Sequence, residues 1–470
     1  MIVNIKKIVA NFSYVLLSNF VTLVISSLAI LIIPKLIGVE EYGFWQLYTF
    51  YIGYVGFFHL GWPDGIYLKF GGQEFKKLDR RYFTGQFVGY NIYLLVISIG
   101  VIIITQFIAV DINRSFIYFM TAINIVLMNV KTFFIWILQS TNKLKESSMI
   151  AILDRIIYAV ILIALLSLRV YDYKVLIFAD VIGKFLGVLF GLWICKDICL
   201  YSLRNIKINY HEIYDNIRVG INLMLSNIAS MLIIGVIRLG IERQWDIATF
   251  GKVSLTLSIS NMMMIFINAI GIVVFPILKR AKEEMLPIIY KNLRSALMVV
   301  MFLVLLGYYP IQFILYNWLP SYRESLVFMI LVFPMAVFEG KMSLLINTYL
   351  KALRMEKTIF RVNVTVLMMS LLLTILLTMV LKNLELTISS IVVLLGIRSI
   401  IAEVILSKRL GIEVKMDILM EVCLTVIFIV TGWFLNQLTA MAIYAVCYLA
   451  YVYLKRNELK NIYAMVRRRG

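Results

Sequence analysis

Few residues in this 470-residue chain have the type and spacing that bond-breaking chemistry requires. The chain has two histidines and four cysteines, namely His59, His211, Cys195, Cys199, Cys423 and Cys447. Cys195 and Cys199 share one helix face, but no histidine or pair of carboxylates stands near them. Because these spacings form neither a metal nor a disulfide pattern, we interpret the two thiols as buried apolar side chains. We expect no enzymatic activity, no metal site and no cofactor.

Charged side chains inside long apolar runs are stronger candidates for function. A charge in hydrocarbon is costly, so an ionisable residue there indicates a binding, coupling or gating task, or a structural ion pair. Lys184, Glu339 and Arg398 stand near the middle of three such runs. The full set of intramembrane charge and gating candidates is Asp64, Lys131, Asp180, Lys184, Glu339, Arg398 and Glu403.

Some of these charges have structural explanations as well. Asp180 and Lys184 are four residues apart, so they can neutralise each other on one helix face. Arg398 either serves substrate binding or gating, or pairs with Glu339 or Glu403. In the second case, a charge reversal at Arg398 is rescued by a compensating reversal at its partner.

Hydroxyl and amide side chains recur at helical spacing in three apolar runs. Polar groups in lipid should face a partner helix or a water-filled cavity, so these positions either line a cavity or hold helices together. We expect them to line a substrate cavity. The candidates are Ser18, Asn19, Thr22, Asn222, Ser226, Asn227, Ser254 and Asn261.

The apolar runs that carry these residues are long enough to cross a membrane as helices. The chain is 62% apolar and 15% charged, whereas a soluble domain has about 45–50% and about 25%. The runs lack the alternation of barrel strands. We predict an all-α polytopic membrane protein with about 14 transmembrane helices, whose short loops leave no room for a soluble catalytic domain. The predicted spans are 12–33, 43–63, 85–107, 116–138, 149–168, 175–195, 217–237, 249–272, 293–316, 325–350, 361–381, 386–406, 417–435 and 439–454.

The positive charge of the chain indicates its orientation. With 45 basic and 26 acidic residues, the formal net charge is +19. Of the basic residues, 31 fall in one alternate set of loops and tails and 9 in the other. This asymmetry places both termini in the cytoplasm. It also explains the net charge without nucleic-acid binding, which we do not expect.

Two of the charge candidates lie near the ends of their runs. Asp64 follows Trp62 and Pro63, where a helix break would place its carboxylate at a cytoplasmic gate. Helix capping or a loop position is the alternative. Lys131 lies about 10 Å from a helix end, so its ammonium can extend to the interface.

An internal repeat divides the chain. Residues 17–19 recur as residues 225–227, and the pair Tyr42-Gly43 is matched by Phe250-Gly251, both at an offset of 208 residues. Six predicted spans lie between the copies, so the halves share one orientation, as in transporters whose substrate path lies between two repeats. The predicted domains are an N-terminal six-helix lobe, a C-terminal six-helix lobe and two additional helices with a basic cytoplasmic tail, in residues 1–200, 201–410 and 411–470.

Two segments resemble a known family. Residues 33–43 (IPKLIGVEEYG) are similar to the first-loop signature of bacterial polysaccharide flippases. Residues 59–67 (HLGWPDGIY) resemble the segment that closes their second helix. These O-antigen and capsular oligosaccharide translocases belong to the multidrug/oligosaccharidyl-lipid/polysaccharide exporter superfamily. The length, the cytoplasmic termini and the number of spans agree with this family over the whole chain.

The resemblance implies a substrate and a location. Such proteins move undecaprenyl-pyrophosphate-linked oligosaccharide repeat units from the inner to the outer leaflet of the bacterial cytoplasmic membrane. They line their central cavity with the first, second, seventh and eighth helices. The implied partners are this lipid-linked oligosaccharide, membrane lipids and other polysaccharide assembly proteins.

The chain departs from the family in the position of its cations. Flippases of this superfamily often present cations on their first two helices, but the first span here has no basic residue between Lys7 and Lys35. The second span offers only His59 and Asp64. Diphosphate binding therefore falls to Lys35, Arg238, Lys252 or the deep cations.

Two other classes of function stay open. A multidrug or cation antiporter of the same superfamily needs acidic residues in an apolar cavity, and the excess of deep cations argues mildly against it. A membrane glycan polymerase needs catalytic groups on outer loops, which here are short and lack histidines and clustered carboxylates. No Gly-x-x-x-x-Gly-Lys-Ser/Thr motif is present, so any energy comes from an ion gradient or from use of the product. We expect translocation of a lipid-linked oligosaccharide by alternating access for O-antigen or capsule assembly.

Overall fold

The computed structural model describes the backbone of residues 5–201, 208–280 and 283–467, and within these ranges the chain is helical with short connections. Contacts group the chain into two compact units, Met1–Ile228 (unit 1) and Ala229–Gly470 (unit 2). The boundary falls inside one long helix, Tyr210–Gln244. The all-α prediction is confirmed, whereas the division at residues 200 and 410 stays a prediction.

Unit 1 consists of seven complete helices and the beginning of an eighth in its described part. They are α1 (Ile5–Leu36), α2 (Val39–Val55), α3 (Trp62–Phe70), α4 (Arg80–Ile108), α5 (Ile112–Ser140), α6 (Leu144–Ser167), α7 (Tyr173–Cys199) and α8 (Tyr210–Gln244).

Unit 2 contains the end of α8 and the remaining described helices. They are α9 (Ile247–Arg280), α10 (Leu286–Leu306), α11 (Tyr308–Trp318), α12 (Arg323–Leu326), α13 (Met329–Val332), α14 (Met335–Gly340), α15 (Asn347–Ala352), α16 (Glu356–Ile375), α17 (Leu384–Leu410), α18 (Lys415–Phe434) and α19 (Gln437–Arg467).

Twelve helical segments in the described part of the chain are long and apolar enough to cross a membrane. The protein is therefore a multi-pass membrane protein. The predicted spans 43–63 and 249–272 are not among the twelve. The count of fourteen and the cytoplasmic location of both termini stay predictions.

The second predicted span is not one continuous helix. α2 ends at Val55, a 3-10 turn covers Gly56–His59, and α3 begins at Trp62. Between them, Leu60 and Gly61 have left-handed backbones with φ of 50° and 74°. Glycine adopts this conformation without a steric penalty, and Pro63 fits the first turn of α3, where its missing N–H costs nothing. We call residues 56–61 the helix break.

The tenth predicted span is also interrupted. It consists of α12–α15 with a π-helical turn at Lys341–Ile346. Pro334 lies directly before α14 and cannot donate to the preceding turn, so a regular helix does not pass through it. Of the most apolar window in Met329–Ala352, 89% is buried, so a charge on this segment needs a partner inside the protein.

Polar side chains fix several helix starts in the loops. Asp79 accepts hydrogen bonds from two backbone N–H groups of α4, and Asp111 accepts one from α5. Asp246 accepts one at 2.7 Å from the Thr249 N–H at the start of α9. This bond lowers the pKa of the Asp246 carboxyl from its ordinary value of 3.8. Each cap satisfies an N–H that has no partner within its helix.

An aromatic core in unit 1 positions the helix break. Trp62 of α3 packs against Tyr90 of α4 with ring centroids 5.2 Å apart, and Tyr90 stacks on Phe133 of α5. All three side chains are buried. The indole N–H of Trp62 also donates to Gln86 Oε1 at 2.7 Å, which fixes the first turn of α3 against α4.

Candidate functional site

The predicted polar positions of unit 1 differ in exposure. Ser18 is buried and Thr22 is half-buried on α1, whereas Asn19 is exposed. On α8, Ser226 is half-buried and Asn227 is exposed. The remaining predicted position on α8, residue 222, lies outside the residues whose side chains are described. The exposed amides Asn19 and Asn227 therefore lie on helical segments apolar enough to cross a membrane, where an uncompensated polar group is costly in lipid.

The predicted polar positions of unit 2 include one that contacts a candidate cation. Arg238 of α8 donates from Nη2 to the Ser254 hydroxyl at 3.1 Å, and its guanidinium lies 5.5 Å from the Phe250 ring. Ser254 is buried, whereas Asn261, further along α9, is exposed. The Ser254 contact and the ring together hold the Arg238 fork in a defined orientation.

The two other predicted diphosphate cations lie at the surface of their units. Lys35 is exposed in the last turn of α1. The ammonium of Lys252 lies 3.5 Å from the carboxylate of Glu324, which is almost fully exposed. Because Glu324 is exposed, solvent screens this ion pair and it contributes little to stability, so the Lys252 ammonium can exchange its partner for another anion.

The deep charges of unit 1 are hydrogen-bonded to one another and to two polar side chains. Lys184 donates to Asp180 at 2.5 Å and to Asn124 Oδ1 at 2.9 Å. Tyr48 donates to the same Asp180 oxygen at 2.7 Å and accepts from the Asn124 amide at 3.0 Å. All four side chains are buried. We call them the N-terminal charge cluster; it joins α2, α5 and α7 inside unit 1.

Two cations stand beside this cluster. Lys131 of α5 donates to Asp154 of α6 at 2.6 Å. The sequence alone predicts instead that the Lys131 ammonium reaches the membrane interface. Its ammonium is held inside unit 1 because Asp154 is buried and accepts it. Arg155 lies 3.9 Å from Asp180 and is about one-third exposed.

In unit 2 the structure distinguishes between the two partners considered for Arg398. Arg398 donates to Glu339 at 2.9 Å and to Asn363 at 2.9 Å. Glu403, the other possible partner, contacts Arg294 and Lys341 instead. Glu339 is therefore the side chain that neutralises Arg398.

Of the largest group of buried charges among the described residues, sequence reasoning named only Glu403. Arg294 contacts Glu403 and Glu421, each at 2.7 Å, and Lys341 contacts the same two carboxylates. All four side chains are at most 2% exposed. We call them the C-terminal charge cluster. It ties α18 to α10, α17 and the π-helical turn.

A second layer of charges surrounds this cluster. Asp417 lies 3.5 Å from Arg294, and Lys455 of α19 contacts both Asp417 and Glu458. Ser295 donates to the same Glu458. The signal that could have revealed the group was the placement of Lys341 and Glu421 inside apolar runs.

The helix break positions the predicted gate residue. Asp64 lies in the first turn of α3, whose N-cap residue is Gly61. Its Oδ2 lies 3.5 Å from Nδ1 of His59, and both side chains are nearly buried. Directly after Asp64, Gly65 lies against the backbone of Asn216 on α8, so closely that a Cβ there would overlap the Asn216 carbonyl oxygen.

The chemistry of these groups is that of binding and conformational control. Among the described residues, no group of three or more His, Cys, Asp or Glu side chains could hold a metal ion. Cys195 and Cys199 are buried thiols in the core of unit 1, as the sequence suggested. The deep carboxylates Asp180, Glu339 and Glu403 each accept from a lysine or arginine.

Solved structures of transporters share this fold. A multidrug resistance MATE family transporter of the MOP superfamily, inward-facing, matches with a TM-score of 0.61 at 11% identity and covers 84% of this chain and 98% of its own. The lipid II flippase MurJ, in an inward closed conformation, matches with a TM-score of 0.60 at 14% identity. The match covers 96% of this chain and 99% of the flippase. A MOP superfamily transporter from Pyrococcus furiosus matches with a TM-score of 0.51 at 11% identity and covers 85% and 95%.

Sequence comparison gives the family. No curated protein sequence matches the chain. The family model described as polysaccharide biosynthesis protein matches residues 8–282, more than half of the chain. This match and the shared fold confirm the resemblance seen in residues 33–43 and 59–67. The chain belongs to the polysaccharide biosynthesis protein family and has the fold of the MOP transporter superfamily.

Proposed function

We propose that the protein translocates undecaprenyl-pyrophosphate-linked oligosaccharide repeat units across the bacterial cytoplasmic membrane by alternating access, for O-antigen or capsule assembly. The observation that carries the proposal is the exposure of Asn19, Asn227 and Asn261 on three long helices, α1, α8 and α9. All three lie within the residues that match the polysaccharide biosynthesis family. Other polysaccharide assembly proteins would supply the substrate and consume the product.

Exposed amides suit a path for sugars. An asparagine side chain offers two N–H donors and an acceptor oxygen, which match the mixed donor and acceptor character of carbohydrate hydroxyls. Transfer of such a group from water to a hydrocarbon such as cyclohexane, without a hydrogen-bond partner, costs roughly 4–8 kcal/mol. Amides on three helices are therefore expected to face water or substrate rather than lipid.

The candidate cations suit the diphosphate. A guanidinium presents a planar fork of donors that binds phosphate oxygens in pairs. Arg238 keeps this fork oriented through Ser254, and the Lys252 ammonium lies 3.5 Å from the solvent-exposed carboxylate of Glu324. We assign Arg238 and Lys252 as the first cations to test, with Lys35 as the third.

The second candidate is an ion-coupled multidrug antiporter, since a MATE family transporter shares the fold. A cationic drug would need a carboxylate that is not already neutralised. Asp180, Glu339 and Glu403 each have a cationic partner at 2.9 Å or less. Asp64 is the one acidic charge candidate without a lysine or arginine partner among the described residues, so three of the four acidic candidates are unsuited to a cationic drug.

A translocation assay tests the proposal. Proteoliposomes containing a fluorescent lipid-diphosphate oligosaccharide are treated with a membrane-impermeant quencher, and the rate of fluorescence loss is compared with protein-free vesicles. Asn19→Leu or Asn227→Leu should slow translocation by about 2- to 10-fold, the effect of one lost hydrogen bond of about 0.5–1.5 kcal/mol.

The matched control is Asn91→Leu on α4. Its amide already donates to the Phe87 carbonyl oxygen of its own helix at 2.7 Å, and its side chain is less exposed than those of Asn19 and Asn227. Translocation unchanged in all three variants, or absent in the wild type, would reject the proposed function.

A further inference from the structure

The helix break brings two hydrogen-bond acceptors together. Nδ1 of His59 accepts from the Gly61 N–H at 2.8 Å, so this nitrogen carries no proton. Oδ2 of Asp64 lies 3.5 Å from the same nitrogen, is buried, and has no hydrogen-bond donor among the described residues. A donor is therefore missing between Nδ1 and Oδ2.

The missing donor leaves a charge uncompensated. In this arrangement, His59 is neutral and Asp64, if ionised, contributes one negative charge to a site where the two side chains are only 13% and 11% exposed. Burying an unpaired carboxylate is costly, and a single proton taken up by the pair removes the net charge.

The neighbouring elements supply no replacement cation in the part of the chain that the structure describes. Facing groups on α4 are phenols: Tyr90 packs on Trp62, and Tyr93 donates to the Phe58 carbonyl oxygen. On α5 the basic residues are held by their own carboxylates. The remaining charged or titratable groups of α2, α3 and α8 near the break are Tyr54, Tyr67, Lys69, Glu212, Asp215 and Arg218.

These remaining groups do not neutralise Asp64. Lys69 is paired with Glu212 at 2.5 Å, and Asp215 lies 3.2 Å from His211. Arg218 is exposed on α8. Among the described residues, His59 is the one basic side chain within 4 Å of the Asp64 carboxylate, and it is neutral in this arrangement.

We propose that His59 and Asp64 bind one proton from the cytoplasmic side and that this proton controls the packing of α3 against α8. The proton occupies the line between Nδ1 and Oδ2, bonded to one atom and hydrogen-bonded to the other. In either position it fills the Nδ1 lone pair, so the Gly61 N–H loses its acceptor. One proton is added and no covalent bond between heavy atoms changes.

Loss of the hydrogen bond from the Gly61 N–H affects the packing of α3 against α8, because Gly61 contacts α8 directly. Its left-handed turn lies against α8, where a Cβ would stand 2.5 Å from the Gly220 carbonyl carbon and 2.6 Å from the Ile221 nitrogen. A Cβ on Gly220 would in turn overlap the Gly61 carbonyl oxygen. Because backbone touches backbone here, a change in the Gly61 turn cannot be absorbed by a side-chain rotamer and must move α3 or α8.

The proton site itself does not depend on the proposed function. Only the coupling of proton binding to transport rests on the proposed function. α8 continues from this crossing to Arg238 and the polar positions Ser226 and Asn227. Binding of the proton at the helix break therefore changes the position of α8 and with it the path on which these residues lie.

Nuclear magnetic resonance on the full chain tests the site directly. Protein labelled with 15N in histidine and glycine is titrated from pH 5 to pH 8, a range that contains the ordinary histidine value of about 6.5. His211 is the internal control, since its side chain and that of Asp215 are 82% and 41% exposed. We expect the His59 Nδ1 signal and the Gly61 amide signal to change with one common midpoint.

Two matched substitutions decide the outcome. Asp64→Asn should lower the His59 midpoint by at least about one pH unit, the size expected for loss of an adjacent opposite charge. Asp215→Asn should move the His211 midpoint much less, because solvent screens that pair. Equal shifts in the two variants, or a Gly61 signal that does not follow His59, would overturn the proposal. The Gly61 comparison needs only the wild type, so it stands even if Asp64→Asn does not fold.

The transport arm separates this proposal from the proposed function. Glycolipid translocation should depend on cytoplasmic-side pH in the wild type and lose that dependence in His59→Asn, which keeps an acceptor near Nδ1 but binds no proton. Retained pH dependence in His59→Asn would overturn the coupling. Intact His59 titration without any glycolipid transport would reject the proposed function alone.

Discussion

The C-terminal charge cluster makes Glu421→Gln a severe change. Glu421 contacts Arg294 and Lys341, each at 2.7 Å, and all three side chains are at most 2% exposed. In the wild type, two cations face two carboxylates, Glu403 and Glu421. Glutamine at position 421 leaves two buried cations sharing one fully buried carboxylate, that of Glu403, with Asp417 3.5 Å from Arg294. Removing one partner of a buried ion pair costs about 3–5 kcal/mol, and we expect a loss of that size in the free energy of unfolding.

A second substitution should repair part of this loss. Lys341→Met in the Glu421→Gln background leaves Arg294 and Glu403 as one balanced pair. The double variant should therefore be more stable than Glu421→Gln alone, with a coupling energy of about 1–3 kcal/mol between the two positions. Replacing a buried ion pair by apolar groups is often close to neutral, which supports this direction.

The assay is thermal unfolding in detergent, with the folded fraction followed by size-exclusion chromatography. Glu146→Gln is the matched control, because Glu146 pairs with Lys143 at 3.4 Å and both are 35% exposed. It should change stability by less than about 1 kcal/mol. Additive losses in the double variant, or equal losses for Glu421→Gln and Glu146→Gln, would refute the reasoning.

Three further predictions concern single contacts. Arg398→Glu should lower the yield of folded protein in size-exclusion chromatography, and Glu339→Arg should restore it because these side chains are 2.9 Å apart; a reversal inside the C-terminal charge cluster should not. Gly65→Ala should reduce thermal stability because its Cβ meets a carbonyl oxygen of α8, whereas Gly53→Ala, which meets nothing within 4 Å, should not. Asp246→Ala should cost about 1 kcal/mol of stability at neutral pH. Because the hydrogen bond that Asp246 accepts lowers the pKa of its carboxyl below 3.8, the difference from wild type in thermal unfolding should shrink as the pH falls below about 4.

The membrane helices were predictable because hydrocarbon imposes one requirement on every span. A run of about 20 apolar residues is both long enough and apolar enough to cross, whatever its neighbours. The length and apolarity of a run do not show where a helix within it is interrupted. Gly61 and Pro63 in the second run and Pro334 in the tenth were visible in the sequence, but the first two predict a break only when the backbone conformation they permit is considered.

Charge pairing was predictable only over short distances. Asp180 and Lys184 are one helical turn apart, so the helix itself brings them together. Arg294 and Glu403 are 109 residues apart, and their contact depends on how α10 packs against α17. The same holds for Gly61 and Gly220, whose crossing no periodicity of α3 or α8 predicts.

The most direct test of the proposed flippase compares two substrates in the same proteoliposomes. A fluorescent lipid-diphosphate oligosaccharide and a cationic dye are followed together, with and without the protein. The account predicts that the oligosaccharide reaches the far leaflet only when the protein is present, while the dye stays where it was loaded. Movement of the dye without movement of the oligosaccharide would contradict the account and identify the protein as a cation antiporter.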